Sequence, residues 1–263
     1  MDSTVAIPPW RANLAVIGAL MARALNELLR VPGAVIPGVL APTIFFLGIN
    51  GVFGGLTDLS GFPTDSYPSF LVPISMLQAA GFTGAAAGVN LARDVEQGRL
   101  DRLLVTPAPR WVLLSSTVLA ASARSLIPAT FVLGIAFAVG AHFPGVDGLA
   151  IAYAMVGGMA VVAACWASML ALRFKTQSAS PLMQAGMLAL VFLTPAYAPM
   201  ALLQGWLKSI AQVNPVTHVL EAARQGFVGA LSWGDTWPGI LALAGMASLL
   251  GALALREMRR TAL

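Results

Sequence analysis

The chain has 263 residues, 58% of them hydrophobic and only 10% charged, with a net charge of +4 and a mean hydropathy of +0.81. A soluble domain carries about 25% charged residues, so a water-facing globule is excluded and an all-α integral membrane protein is expected. The cations are scattered among hydrophobic spans, which argues against nucleic acid, and the single cysteine, Cys165, excludes an intramolecular disulfide or a multi-cysteine metal site.

Residues 1–9 read as a disordered cytosolic tip. Trp10, Leu14, Ile17, Met21, Leu25 and Leu28 then recur every three or four residues, with Arg11, Arg23, Asn26, Glu27 and Arg30 at polar positions. That spacing predicts an amphipathic helix over 10–30, lying in the inner headgroup region. About 20 apolar residues cross a bilayer as helix. Six such spans are predicted, at 33–56, 69–91, 112–141, 149–172, 179–199 and 236–255. Pro32, Pro37 and Pro42 predict an irregular start to the first. Gly81, Gly84 and Gly88 in the second, and Gly157 and Gly158 in the fourth, allow helices to approach closely, within the chain or at a subunit interface.

Seven charged residues cluster in Ala92–Arg110, between two uncharged apolar stretches: Arg93, Asp94, Glu96, Arg99, Asp101, Arg102 and Arg110. Leu100, Leu103 and Leu104 fall at i, i+3 and i+4 and make one apolar helical stripe. Gly98 can break this element from what precedes it, and Pro107 and Pro109 end it. The pattern fits a short amphipathic helix over 93–107 across the mouth of two membrane helices; an ordinary charged loop is the plainer alternative. Lysine and arginine placement orients the chain. With the amino terminus inside, twelve cations fall on the cytosolic side and two, Lys208 and Arg224, outside, so both termini and the Ala92–Arg110 loop are expected in the cytosol. Arg124 stands about 14 residues past Arg110, hence ~20 Å up a helix at 1.5 Å per residue. It reads either as a polar contact in a transport path or as a snorkelling side chain.

Residues 200–232 are too polar to span. Trp206, the turn signal Asn214-Pro215, and Glu221 and Arg224 on a resumed helical spacing suggest two short amphipathic helices that dip into the outer leaflet and return. Trp206, Trp233 and Trp237 are expected at the outer interface. Chemistry-bearing motifs are weak. The sequence holds no G-x-x-x-x-G-K-[ST] loop, no H-E-x-x-H and no G-x-S-x-G, and its only histidines are His142 and His218. No catalytic and no metal-ligating residue is assigned. An ion-coupled carrier would need acidic groups near mid-membrane, and all eleven acidic residues fall outside the middle of the predicted spans.

The run from Glu96 to Pro107, Glu-Gln-Gly-Arg-Leu-Asp-Arg-Leu-Leu-Val-Thr-Pro, resembles the cytoplasmic loop of ABC-2 type exporter permeases. The antibiotic-resistance permeases of the daunorubicin-exporter type are the most similar subfamily. The resemblance implies one ABC-2 transmembrane domain over 1–263, an amino-terminal interface helix and an external re-entrant hairpin before the last span. It implies that Arg93, Asp94, Glu96, Gly98, Arg99, Leu100, Asp101, Arg102, Leu103, Leu104 and Pro107 couple the chain to an ATPase. The charged residues would meet that partner and the leucines would anchor the lever to the bundle, with the loop at Arg173–Gln177 as a second, smaller contact. It further implies a non-catalytic subunit without a cofactor of its own, ATP and Mg being held by two copies of a nucleotide-binding partner. A second permease chain, identical or homologous, and membrane lipids complete the expected partners, in a bacterial cell membrane. The expected cargo is an amphipathic drug or lipid; a polysaccharide or glycolipid is the alternative within the family, and an ion-coupled secondary transporter the alternative outside it.

Overall fold

A computed structural model describes residues 9–30, 36–59, 62–100, 105 and 109–260. The expected tip at residues 1–9 lies, but for Pro9, outside them. The described residues form helices and their connections, with no strand among them. In chain order these are α1 (Pro9–Arg30), α2 (Ile36–Phe53), α3 (Tyr67–Glu96), α4 (Arg110–Ala138), α5 (Gly145–Phe174), α6 (Ser180–Phe192), α7 (Gly205–Val213), α8 (Pro215–Val228) and α9 (Trp233–Arg260). Among the described residues five segments are long and apolar enough to cross a membrane: Gly38–Asp58, α3, α4, α5 and α9.

The sequence suggests a sixth span over 179–199, and here the structure differs. The helix is 13 residues long and stops at Phe192, which at 1.5 Å per residue is ~20 Å, short of the ~30 Å hydrocarbon core. Thr194 to Ala198 follow as bends. The cause is Pro195, with Pro199 behind it. A proline lacks the N–H that helix continuation needs and pushes its predecessor out of the helical region. Apolar composition alone hid this break.

α3 is the axis of the bundle. The most apolar stretch of α3 is 83% buried inside the molecule, against 17% for the corresponding stretches of Gly38–Asp58, which packs on α3, and of α9, which packs on α5 and α8. In lipid there is little hydrophobic drive between helices, so close packing must supply the association. α3 and α5 achieve it through glycine: a Cβ on Gly84 would stand 2.5 Å from the Ala163 Cβ and 2.6 Å from the Ala160 carbonyl, and one on Gly88 would overlap Ala167. The expected small-residue stripe in the second span is thus used within the chain. Gly158 takes Leu243 of α9 in the same way, its absent Cβ falling 2.5 Å from Cδ1. α1 packs along α4, and α8 lies against α3, α5 and α9.

The start of α3 is stitched to the α4–α5 turn. Ser66 caps the helix and donates to the Gly140 carbonyl at 3.0 Å, while the His142 N–H donates to the Ser69 hydroxyl at 2.7 Å. Each bond satisfies a polar group at a helix end, where the backbone cannot.

Candidate functional site

The charged cluster divides in two. The sequence reading starts the short element at residue 93, but α3 continues without interruption to Glu96. Arg93, Asp94 and Glu96 therefore extend the central helix, because no breaker precedes Gly98. Gly98 takes φ +65, a conformation that suits glycine, and its N–H donates to the Val95 carbonyl at 3.0 Å. Beyond the turn, Leu100 is 3% exposed, within an inner cluster that includes Leu91, Leu114, Leu170, Met183 and Met258. Asp101, Arg102, Leu103, Leu104 and Pro107 lie outside the described residues. Arg110 begins α4, and its guanidinium donates to the Arg259 carbonyl at 3.3 Å, joining that end to the last turn of α9.

Arg99 pairs with Asp94 at 3.6 Å, with both side chains more than a third exposed; such a pair contributes about 0–1 kcal/mol. Glu96 is engaged differently. One carboxylate oxygen accepts the backbone N–H of Gln177 at 2.8 Å, and the other accepts the Gln177 side-chain amide at 2.6 Å. Arg93 adds a third bond, from Nε to the Gln177 side-chain oxygen at 3.3 Å. The end of α3 is thereby tied to the α5–α6 loop. Gln177 was legible only as the last residue of a short polar loop, since nothing in the spacing relates it to a residue 81 positions earlier.

The second polar constellation lies at the opposite end of α3. Arg224 of α8 is 8% exposed. It donates from Nε to the Phe70 carbonyl at 3.1 Å, from one terminal nitrogen to Pro195 at 2.9 Å and from the other to Ala196 at 2.9 Å. Its carbon centre stands 3.8 Å from the Phe70 ring centroid. Asn214 works in both directions. Its side-chain oxygen caps α8 by accepting the Val216 N–H at 3.0 Å, and its amide donates to the Leu190 and Leu193 carbonyls at 2.7 and 3.0 Å. Pro215 occupies the first turn of α8, where no donor is required. Tyr67 donates to the Tyr197 carbonyl at 2.9 Å, and Gln78 to the Tyr197 hydroxyl at 2.8 Å. Together these side chains satisfy the carbonyls released where α6 breaks, as a non-helical segment inside a membrane bundle requires.

Arg224, counted among the cations outside the membrane, thus turns its side chain into the bundle. Glu221, one turn earlier, is half-exposed and stands 3.7 Å from His218. Burial raises its carboxyl above the usual range, with His218 and then Arg224 opposing the shift. Trp206 is 66% exposed on α7, in line with exposed Ile210 and Val213. Arg124 is partly buried on α4, the helix that α1 packs along. The structure brings Asn214 and Arg224 to the same break after α6, and Arg93 and Glu96 to Gln177, while Trp206 lies exposed on α7. Among the described residues no group of three or more His, Cys, Asp or Glu is placed to hold a metal ion.

Long apolar helices wound about one buried axis, with most ionic groups at helix ends and in loops, mark a multi-pass membrane protein. The chain belongs to the ABC-2 type transporter family, whose profile matches residues 15–228, and is an ABC transporter permease. It is 25% identical over 241 residues to the daunorubicin resistance ABC transporter permease protein DrrB1 of Streptomyces coeruleorubidus, covering 90% of this chain and 83% of that one. It is 27% identical over 213 residues to the probable multidrug ABC transporter permease YbhR of Escherichia coli K12, covering 74% of this chain but only 55% of that protein. The probable doxorubicin resistance ABC transporter permease protein DrrC of Mycobacterium tuberculosis is 27% identical over 218 residues, 78% of this chain and 72% of that one. Membership implies association with an ATP-binding subunit.

Proposed function

We propose that this chain is the membrane-spanning half of an ATP-driven exporter that moves an amphipathic drug or lipid outward. The observation that carries the reading is the family match over 15–228 in a chain without a phosphate-binding loop: the chain supplies the path and another polypeptide supplies the energy. The drug-resistance names of the relatives support the cargo class, as does the apolar character of the spans. In this reading the whole of 1–263 is one transmembrane domain in a bacterial plasma membrane, with both termini cytosolic. Two nucleotide-binding subunits, holding ATP and Mg, dock beneath a pair of permeases. α6 with its broken outer end makes the sixth crossing, α1 lies at the inner interface, and α7–α8 form the external hairpin.

Closure of the ATPase pair pushes the inner end of α3 and the segment after Gly98. Because α3 is packed against α5 through Gly84 and Gly88, the push tilts a rigid pair rather than bending one helix. Affinity purification of the tagged chain from its own membranes tests this reading. A P-loop ATPase that co-purifies stoichiometrically, with ATP hydrolysis stimulated by apolar drugs, is the expected result. A chain that purifies with no ATPase overturns it.

A further inference from the structure

α9 ends beside the start of α4. Leu114 of α4 and Ala254 and Met258 of α9 lie in one buried cluster. The Arg110 guanidinium donates to the Arg259 carbonyl at 3.3 Å, across 149 residues of sequence. That carbonyl is in the last turn of α9, where the helix itself supplies no donor. The junction collects positive charge. Arg256, Arg259 and Arg260 recur at i, i+3 and i+4 and so share one face of α9. All three are exposed, on the side away from buried Ala254 and Met258. Glu257 is the acid of this turn and meets Arg260 at 3.4 Å. Among the described residues no ion pair joins Arg110, Arg256 or Arg259 to an acid. Trp111, next to Arg110, is 48% exposed, in keeping with an indole at the headgroup level.

We propose that the junction of the α4 start and the α9 end is a binding site for the phosphodiester headgroup of an anionic lipid. Cations at the ends of spans orient a chain wherever they stand, and orientation does not require them to be drawn together from two helices. Like charges held side by side repel unless an anion lies between them. Depth selects the source of that anion. Arg110 and Trp111 open a helix long and apolar enough to cross the membrane, which puts the patch at the level of the lipid phosphates. Each guanidinium offers a planar fork to phosphate oxygens, and the amino-terminal end of α4 adds its positive dipole. A lipid held here ties α4 to α9 from outside, as Arg110 does from within. Such a site is independent of what the chain transports.

The test uses the full chain in an uncharged detergent, titrated with phosphatidylglycerol or, separately, with phosphatidylcholine. Native mass spectrometry reads binding, and the melting temperature reads its effect. Phosphatidylglycerol should bind wild type at a defined stoichiometry and raise its melting temperature by several degrees; phosphatidylcholine should do neither. Arg256→Gln/Arg259→Gln keeps the Arg110 bond, which goes to a main-chain carbonyl, and should melt like wild type in detergent alone. Its affinity for phosphatidylglycerol should fall about tenfold or more. Arg173→Gln/Lys175→Gln removes two exposed cations from another loop and should leave the affinity within about twofold. Wild type at about 1 M salt, where exposed charges are screened beyond ~3 Å, should lose the binding too, and carries the test if the first double variant does not fold. Unchanged phosphatidylglycerol binding by Arg256→Gln/Arg259→Gln would overturn the proposal. So would an equal loss in the Arg173→Gln/Lys175→Gln chain, which would make the attraction one of net charge alone. Equal stabilisation by inorganic phosphate would assign the patch to a soluble anion. Loss of a co-purifying ATPase with lipid binding intact would assign it to a protein, and either result overturns the lipid site.

Discussion

Replacing Arg224 by Met removes the charge and the donors while keeping most of the side-chain length. Two of its acceptors, the carbonyls of Pro195 and Ala196, lie in the bent segment after α6 and outside any helix. An orphaned buried carbonyl costs about 1–3 kcal/mol. Loss of the stack on Phe70, at 3.8 Å, adds about 0.5–2 kcal/mol. The two carbonyls and the stack together come to roughly 5 kcal/mol, and at about 2–4 °C per kcal/mol for a chain of this size the melting temperature should fall by roughly 10–20 °C. Arg224→Lys keeps the charge but cannot fork between separate carbonyls, and should lose about half as much. Thermal unfolding in detergent, followed by tryptophan fluorescence, reads both. An Arg224→Met protein melting within about 2 °C of wild type would refute the view that this side chain holds the broken end of α6.

Gly88→Val should be among the most damaging single changes in the spans, because the new side chain meets Ala167 on α5; loss of monodisperse protein on gel filtration checks it, whereas Gly245→Val, with open space around it, should behave as wild type. Asn214→Asp keeps the α8 cap but loses the donors to Leu190 and Leu193, and should cost about 2 kcal/mol, read as a lower melting temperature. Burial raises the Glu221 carboxyl in the folded state, so the fold binds this proton more tightly than the unfolded chain does. The contribution of Glu221 to stability therefore grows as pH falls through its raised pKa and is lost above it. Glu221→Gln should flatten that part of the stability profile, measured as melting temperature against pH.

The sequence made the class of molecule plain because composition is a bulk property: so few charges in so long a chain leave no soluble alternative. Gly98 as a break and Leu100 as a buried anchor were legible because each depends on neighbours a turn away. Two things were not. The break in α6 was masked by an apolar run that outweighed Pro195, although the proline carried the signal. The partners of Glu96 and Arg224 within the chain were not legible because they are long-range in sequence: Gln177 for the first, Phe70, Pro195 and Ala196 for the second. A carboxylate in a charged cluster reads as a partner contact, and an arginine between predicted spans is counted on the outer side of the membrane. Only packing shows that each is occupied within the chain.

On the proposed function this permease supplies a path and a lever, and its partner the energy. Reconstituting the purified chain into liposomes, with and without its ATPase, and scoring movement of a fluorescent amphipathic drug separates this from a self-sufficient carrier. Transport is expected only when the ATPase and hydrolysable ATP are both present, and none from an imposed proton or sodium gradient. Vectorial, gradient-driven transport by the chain alone would contradict it.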